Sequence, residues 1–526
     1  MPKNESTKPK IEIDGAWAFL EGIPGRHLEQ CLAVRDPKAH FLQICKDGRW
    51  DGKVRFYSGN RFPAGLVARA QTYLLEFQEF ADLEVLDPYR VTVDLKRFTP
   101  EYLPGITLWD HQYEACMSML AHPRGVVKSP TASGKTEIMA AVARYLWEEY
   151  DVRTLVVVPK KGLLTQTVER FERYYEGDLT VGQCGDGVKT TGDVTVGTAQ
   201  TLIGFKPRRR KGKLIPANED LRFLIEEQVD CIMLDECHHT SSNSWQDIAM
   251  ACPARFRYGL SGTPLKENEL SDLRLIGATG PVIYNVEAEH LIAEGLAARP
   301  RIVMVMSDNA SGARGSLGKV WREGKSRELA YKAAYDAGIV ENKLHNDAVV
   351  KATTWLVDQG RKVMVLCRYK KHFRTLEAML DDKGVDFRAC WGATTTEDRL
   401  EAKKLLNSGQ IHAVLVSTIW DEGEDVPNVN AIVLAEGVKV NTSALQRVGR
   451  GMRRKGGEDV WVVDFVPVCH PKLTEHAASR AEFYEDEGYE VALLEDWPEP
   501  GSTEGFDDLL PFLKWEEAMQ KTYEEA

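Results

Sequence analysis

The chain has 526 residues, 43% hydrophobic and 28% charged, too long for one core and ordinary for a globular protein of three or four domains. No apolar run reaches the ~20 residues of a membrane span, the polar start MPKNESTKPK is no secretory signal, and ten scattered cysteines suggest neither a disulfide framework nor a zinc ribbon. The formal net charge of −12 is uneven: residues 482–526 hold fifteen Asp and Glu against Lys514 and Lys521, so the preceding 481 residues are nearly neutral. An acidic total therefore does not exclude a nucleic-acid partner, and charge has to be read locally. A cytoplasmic enzyme, bacterial or from a phage-infected host, is the expectation.

After a polar start, residues 11–97 read as β-rich with one helix. His40–Ile44 and Lys53–Tyr57 read as strands, with Asp47-Gly48 and Asp51-Gly52 as turns between them. Pro63 to Phe80 reads as a helix with Leu66, Val67, Tyr73, Leu74 and Phe77 inward, and Glu84–Leu95 as a strand. Lys46, Arg49, Lys53, Arg55, Arg61 and Arg69 interleave with Trp50, Phe56 and Tyr57. Such a mixture suits a phosphate backbone with exposed bases, or a solvated basic face over an aromatic core.

Residues 106–285 alternate strand and helix, which implies a parallel sheet covered on both faces. Candidate strands are 125–128, 154–158, 194–198, 230–234 and 256–260. Ligands of such sheets gather beyond the carboxyl ends of the strands. After the first comes Ser129-Pro130-Thr131-Ala132-Ser133-Gly134-Lys135-Thr136, opening a helix with Ile138, Ala141, Val142, Tyr145 and Leu146 on one face. Free N–H groups and the dipole at such a helix start attract polyphosphate. Lys135 would reach the β/γ-phosphates and the Thr136 hydroxyl would hold Mg²⁺. The strict phosphate-loop pattern has Gly where Ser129 stands.

Two further strands are followed by Pro159-Lys160-Lys161-Gly162-Leu163-Leu164-Thr165-Gln166 and by Gly197-Thr198-Ala199-Gln200-Thr201. Each could place amides and hydroxyls on a nucleic-acid backbone, and each could equally be an ordinary helix start. Lys206–Lys213 holds six basic residues in eight, a mobile solvated loop or a strand-contacting one. Cys231–Leu234 ends in Asp235-Glu236-Cys237-His238. Downstream of a phosphate loop, Asp235 would bind Mg²⁺ and Glu236 would orient and deprotonate the attacking water. The hydroxyls of Ser261 and Thr263, in Ser261-Gly262-Thr263-Pro264, could sense the γ-phosphate and couple it to the rest of the domain.

Residues 290–470 repeat the alternation, with strands near 362–367, 386–390, 413–417, 431–435 and 459–464 and no phosphate loop of their own. Val416-Ser417-Thr418 leads into Gly423-Glu424-Asp425-Val426-Pro427. Gln446-Arg447-Val448-Gly449-Arg450-Gly451-Met452-Arg453 follows, and arginines from a second lobe can stabilise transition-state charge. The acidic, aromatic tail beyond about 482 is undecided between disorder, nucleic-acid mimicry and partner docking.

Taken in order, these segments resemble a superfamily 2 helicase over roughly residues 106–470. Leu108-Trp109-Asp110-His111-Gln112 resembles its adenine-reading motif, with Trp109 in place of the usual arginine. Ser129–Thr136, Pro159–Gln166, Gly197–Thr201, Asp235–His238 and Ser261–Pro264 resemble motifs I, Ia, Ib, II and III. Val363–Phe373, Val416–Pro427 and Gln446–Arg453 resemble motifs IV, V and VI. The resemblance implies an α/β fold of two tandem RecA-like lobes with a small α+β N-terminal domain. The domains it implies are 1–100, 101–288, 289–470 and an acidic tail 471–526.

It also implies ATP held by Gln112, by Thr131 to Thr136, and by Gly423 and Asp425, with Arg450 and Arg453 as arginine fingers and Gln446 in coupling. Lys160, Thr198, Gln200, Arg368 and Thr418 would contact nucleic acid. Trp50–Tyr57 followed by Phe62–Leu66, and the segment near His470–Val491, are similar to phage branch-migrating helicases of the UvsW type. That likeness implies a monomeric DNA helicase acting on junctions, forks and R-loops, with Lys53 and Arg55 on DNA. An RNA helicase, the motor of a restriction system and a non-hydrolysing ATP clamp are the alternatives.

Overall fold

The computed structural model describes residues 8–88, 90–130, 133–210, 213–265, 268–296, 298–307, 327–392, 394–417, 429–437, 459–467, 470–486, 489–494 and 497. The chain divides into two compact units, 1–286 and 287–526.

The first unit opens with a four-stranded sheet: β1 (Lys10–Asp14) and β2 (Trp17–Glu21) pair antiparallel about the turn at Gly15. Their alternating burial places Ile11, Ile13, Ala18 and Leu20 inward. A ribbon of β3 (Ala33–Arg35) and β4 (Lys53–Arg55) flanks it. β5 (Arg61–Pro63) joins beside β2, and β6 (Glu84–Leu86) runs parallel to β1. Helix α1 (Val67–Leu74) buries Val67, Ala70 and Leu74.

Three expectations for this region need correction. Residues 39–46 form two short helical turns, not a strand. Asp36 Oδ1 accepts from the Lys38 amide at 2.8 Å and starts the turn, and Phe41, Leu42 and Ile44 face solvent, so the two-residue alternation there has no core to meet. The helix over 63–80 keeps only its middle, because 64–66 and 78–80 are 3₁₀ turns. The strand from Glu84 stops at Leu86, before Pro88, which has no amide for a ladder.

The main sheet of this unit has the strand order β10-β9-β11-β8-β14-β15-β7-β16. Its members are β7 (Arg124–Lys128), β8 (Thr154–Val158), β9 (Val181–Gly185), β10 (Val188–Lys189), β11 (Val194–Thr198), β14 (Cys231–Asp235), β15 (Phe256–Ser261) and β16 (Val282–Asn285). All pairings are parallel except β9 with β10. The central strands are buried throughout and mostly apolar, as strands covered on both faces are. Helices α2 (Asp110–Ala121), α3 (Lys135–Tyr150) and α4 (Lys161–Tyr175) supply much of the cover. Between β11 and β14 the chain makes a separate hairpin, β12 (Arg208–Arg210) with β13 (Lys213–Ile215).

Helix α5 (Glu269–Ala278) joins the N-terminal sheet to the large one: its Leu270, Leu273 and Ile276 belong to the core of residues 11–80. At Gly65 the backbones approach so closely that a Cβ would lie 1.8 Å from the Ile276 carbonyl oxygen.

The second unit is a seven-stranded sheet, ordered β19-β20-β18-β21-β22-β17-β23 and parallel throughout. It comprises β17 (Pro300–Met306), β18 (Val363–Leu366), β19 (Phe387–Cys390), β20 (Ala413–Val416), β21 (Ala431–Leu434), β22 (Val460–Val466) and β23 (Glu490–Leu494). Helices α6 (Lys343–Asp358) and α7 (Lys370–Asp382) pack on it.

The boundary expected at residue 470 moves, since helix α8 (Pro471–Asp486) and β23 belong to this unit. Arg480 binds both Asp464 oxygens, at 2.7 and 3.0 Å, and Tyr484 donates to the same carboxylate at 3.1 Å. All three side chains are buried, so removing one partner would strand a charge. Trp497 packs edge-on against Trp355. Acidic composition hid this element because Glu475, Glu482 and Glu485 are exposed while its apolar side chains are mostly buried.

Two outcomes follow from this packing. Gly65→Ala forces backbone against backbone and should cost about 2 kcal/mol, read as a lower urea midpoint and faster proteolysis of the N-terminal sheet. In the second unit, burial first and the nearby His345 second hold the His372 pKa down at about 3. Its Nε2 lies 2.7 Å from Asn346 Oδ1 and its Nδ1 has no partner among the described residues, so the neutral ring donates from Nε2. Folded His372 refuses a proton that the unfolded chain takes below about pH 6.5, so its contribution is whole above that pH and is lost as pH falls toward 3. At pH 5 the loss is about 2 kcal/mol. Urea titrations from pH 7.5 to 5 should show it, and His372→Gln should flatten the dependence.

Candidate nucleotide site and basic cleft

The site is assembled at the carboxyl ends of β7, β14 and β15, adjacent in the order β14-β15-β7. The Ser129 amide donates to the Ser261 carbonyl at 2.9 Å, tying the loop after β7 to the loop after β15. Ser129 and Ser133 are buried and their hydroxyls share a short hydrogen bond. A hydroxyl bridge thus braces the loop where the strict pattern has Gly. Gly134 sits at φ +82°, a left-handed conformation, and starts α3.

Lys135 Nζ contacts Glu236 Oε1 at 2.8 Å, with both side chains about nine-tenths buried. Asp235, at the end of β14, is buried and its Oδ1 accepts from the Glu236 amide at 3.0 Å. Burial and the Glu236 charge push its pKa up to about 7, against the pull of Lys135. For Glu236 burial works upward, but Lys135 and then His238 outweigh it and hold the carboxyl below its usual range. For Lys135 burial works downward, and Glu236 and Asp235 outweigh it. Glu236 adopts φ +52°, uncommon for a residue with a side chain.

The loop after β15 reaches the same carboxylate. Ser261 Oγ lies 3.4 Å from Glu236 Oε2 and 3.0 Å from His238 Nδ1, and it accepts from the Thr263 amide at 3.2 Å. This bridge through His238 was not legible in the chain order, because the two segments lie 23 residues apart. Gln112 is buried: its Oε1 accepts from the Trp109 amide at 3.0 Å and its Nε2 donates to the Ser133 carbonyl at 3.0 Å. A Cβ at 134 would collide with Gln112 Nε2 at 2.0 Å, so glycine is required on both counts. Gln112 therefore touches the phosphate loop directly. Thr136 lies in the first turn of α3, and Thr131 and Ala132 lie outside the described residues.

Lys160, Thr198 and Gln200 come together at the other end of the same sheet edge, around a cleft of about 1180 Å³. Thr198 Oγ1 caps the short helix after β11 by accepting from the Thr201 amide at 3.3 Å, and Lys160 and Gln200 are exposed. Lys53 and Arg55 are not free. Glu29 pairs with both, Asp51 holds Arg55 in addition, and Tyr57 donates to Glu29. The interleaved basic and aromatic pattern thus closes on its own acids. Arg368, after β18 in the second unit, is exposed and stacks over Tyr369. Thr418, Gly423, Asp425, Gln446, Arg450 and Arg453 lie outside the described residues.

Two family models match the chain: "Type III restriction enzyme, res subunit" over residues 105–266 and "Helicase conserved C-terminal domain" over 345–455. The ATP-dependent DNA helicase uvsW of Enterobacteria phage T4 is 24% identical over 482 residues, 85% of this chain and 90% of that protein. The DNA 3'-5' translocase XPB2 of Sulfurisphaera tokodaii is 23% identical over 433 residues, 78% and 90% of the two chains. Among solved structures, a fragment of a putative HsdR subunit of a type I restriction enzyme from Vibrio vulnificus superposes with a TM-score of 0.52 at 17% identity. It covers 74% of this chain and 70% of that one, a likeness of fold. With both lobes of the parallel-sheet architecture matched in order, the chain belongs to the superfamily 2 helicases and is an ATP-hydrolysing enzyme of that superfamily.

Proposed function

We propose that this protein is an ATP-driven DNA translocase that remodels branched DNA, and that Lys135, Asp235 and Glu236 carry its hydrolysis. The buried 2.8 Å contact between Lys135 and Glu236 carries the reading. A triphosphate entering the loop offers Lys135 a stronger partner, and the ammonium leaves Glu236 for the phosphates. Glu236, freed, accepts the proton of the attacking water. The Ser261–His238 bridge reports that exchange to the loop after β15.

The residues present fit a divalent cation. Asp235 is a hard oxygen donor in a buried place that disfavours its charge, and among the described residues no cluster of three metal-binding side chains competes with it. Mg²⁺ takes one or two protein oxygens and completes its shell with phosphate and water. Asp235 and Thr136 would hold it, and it would neutralise charge developing on the phosphates. Arg450 and Arg453, with Gln446, are assigned as fingers and coupling residue on the sequence pattern, as Gly423 and Asp425 are to the nucleotide.

DNA as substrate is favoured by two relatives of which this chain spans 90%, one named a DNA helicase and one a DNA translocase. The proposed layout is a DNA-binding domain over 1–100 and lobes over 101–288 and from 289 through β23. The protein works as a monomer. Among the described residues no helix is long and apolar enough to cross a membrane.

Lys135→Ala and Glu236→Gln should each lower kcat for ATP at least about 100-fold while leaving DNA affinity within a few-fold. Phosphate release and oligonucleotide anisotropy check this, and normal turnover in either variant removes the assignment. ATPase measured in parallel on single-stranded DNA, duplex, four-way junction and RNA should be highest on the junction and lowest on RNA. Equal or greater stimulation by RNA overturns the DNA reading.

A further inference from the structure

We infer that the hairpin β12–β13 is a nucleic-acid subsite, the second wall of a cleft that grips the phosphates of a single strand. The inference rests on the proposed function and adds to it an element that none of the sequence motifs contains. The hairpin is an excursion from the sheet between Gly204 and Asn218, closed at its base by the Asn218 amide donating to the Gly204 carbonyl at 2.9 Å. Lys206 ties the stem to Asp247. Two paired strands alone are marginal in water, and Leu214 is 68% exposed, so little of the hairpin's own packing explains it.

Position and charge explain it better. The cleft of about 1180 Å³ has Lys160, Lys161, Lys189 and Thr198 on the sheet side and Arg208 and Arg209 on the hairpin side. Asp186 is the acid in the lining, and it is taken by Lys161 at 2.5 Å. Among the described residues Lys189, Arg208 and Arg209 make no ion pair, whereas Lys53 and Arg55 of the N-terminal domain are occupied by Glu29 and Asp51. Three unpaired positive charges, Lys189, Arg208 and Arg209, thus line this one cleft.

Ile215, Pro216 and Ala217 form an apolar stretch of the same lining. A single strand presents both a charged backbone and bare base faces, and so meets basic and apolar walls together. A duplex hides its base faces and would use only the charges. The cleft is built wholly from the first unit, so its grip needs no residue of the second.

The test is anisotropy of a labelled oligothymidylate with the full chain from 50 to 300 mM salt. Each lost phosphate contact lowers the slope of log K against log salt by about 0.7 for a single strand. Arg208→Gln/Arg209→Gln should therefore flatten the slope by about 1.4 and weaken binding about tenfold or more at 50 mM. Arg208→Lys/Arg209→Lys should restore the slope, and Arg222→Gln, an exposed charge outside the cleft, should leave it as in the wild type. An unchanged slope in the Gln variant, with an unchanged melting temperature, overturns the inference. So does a loss seen with duplex but not with the single strand. Failure of the wild type to bind any nucleic acid sinks the proposed function itself, which separates the two.

Discussion

One buried ion pair organises the nucleotide site. Lys135 opens the helix after β7 and Glu236 stands beyond β14, two strands away across the sheet. With only 13% and 15% of the two side chains exposed, each charge is stabilised by the other at 2.8 Å. The arrangement is poised, because a bound phosphate would compete with Glu236 for Lys135. Asp235 sits beside the pair with its charge only partly compensated, and its raised pKa registers the positive charge the site wants.

The surrounding packing serves that geometry. Glu236 is turned inward by a left-handed backbone, and Ser261 and His238 reach its second oxygen. The phosphate loop is braced from both sides, by Ser129 with Ser133 and by Gln112 on the Ser133 carbonyl. Gly134 is the hinge of this brace, since both its backbone angle and the nearness of Gln112 forbid a side chain. A substitution of glycine by serine at the head of a phosphate loop is thereby matched by a second serine four residues on.

Charge is distributed by the fold in a way composition conceals. The N-terminal domain looks basic in sequence, yet Glu29 gathers Lys53, Arg55 and Tyr57 around itself. Such exposed pairs are individually weak and can exchange for phosphate. In the basic run at 206–213, Lys206 meets Asp247, and among the described residues Arg208 and Arg209 make no ion pair. The C-terminal acids, for their part, begin on a helix anchored by the buried Asp464–Arg480 pair.

How far the chain could be read without coordinates follows from the range of the forces involved. The alternation of apolar strands and amphipathic helices fixes two parallel sheets, and the ten strands it placed lie within a residue or two of their expected positions, whereas β17, which is paired on both sides by β22 and β23, was not expected. The phosphate loop and the Asp-Glu pair were legible because their chemistry is local: a small-residue turn, a lysine, two adjacent acids. The edge strands β16 and β23 gave no such signal, since they pair with β7 and β17, far away in sequence. Only tertiary structure decided that Lys135 meets Glu236, that His238 bridges to Ser261, that Gln112 turns inward, and that Arg208 and Arg209 face Lys160 across a cleft. Each of these joins residues from 21 to more than a hundred positions apart, and a side chain's partner at that range is set by how strands are ordered in the sheet, which no local pattern encodes.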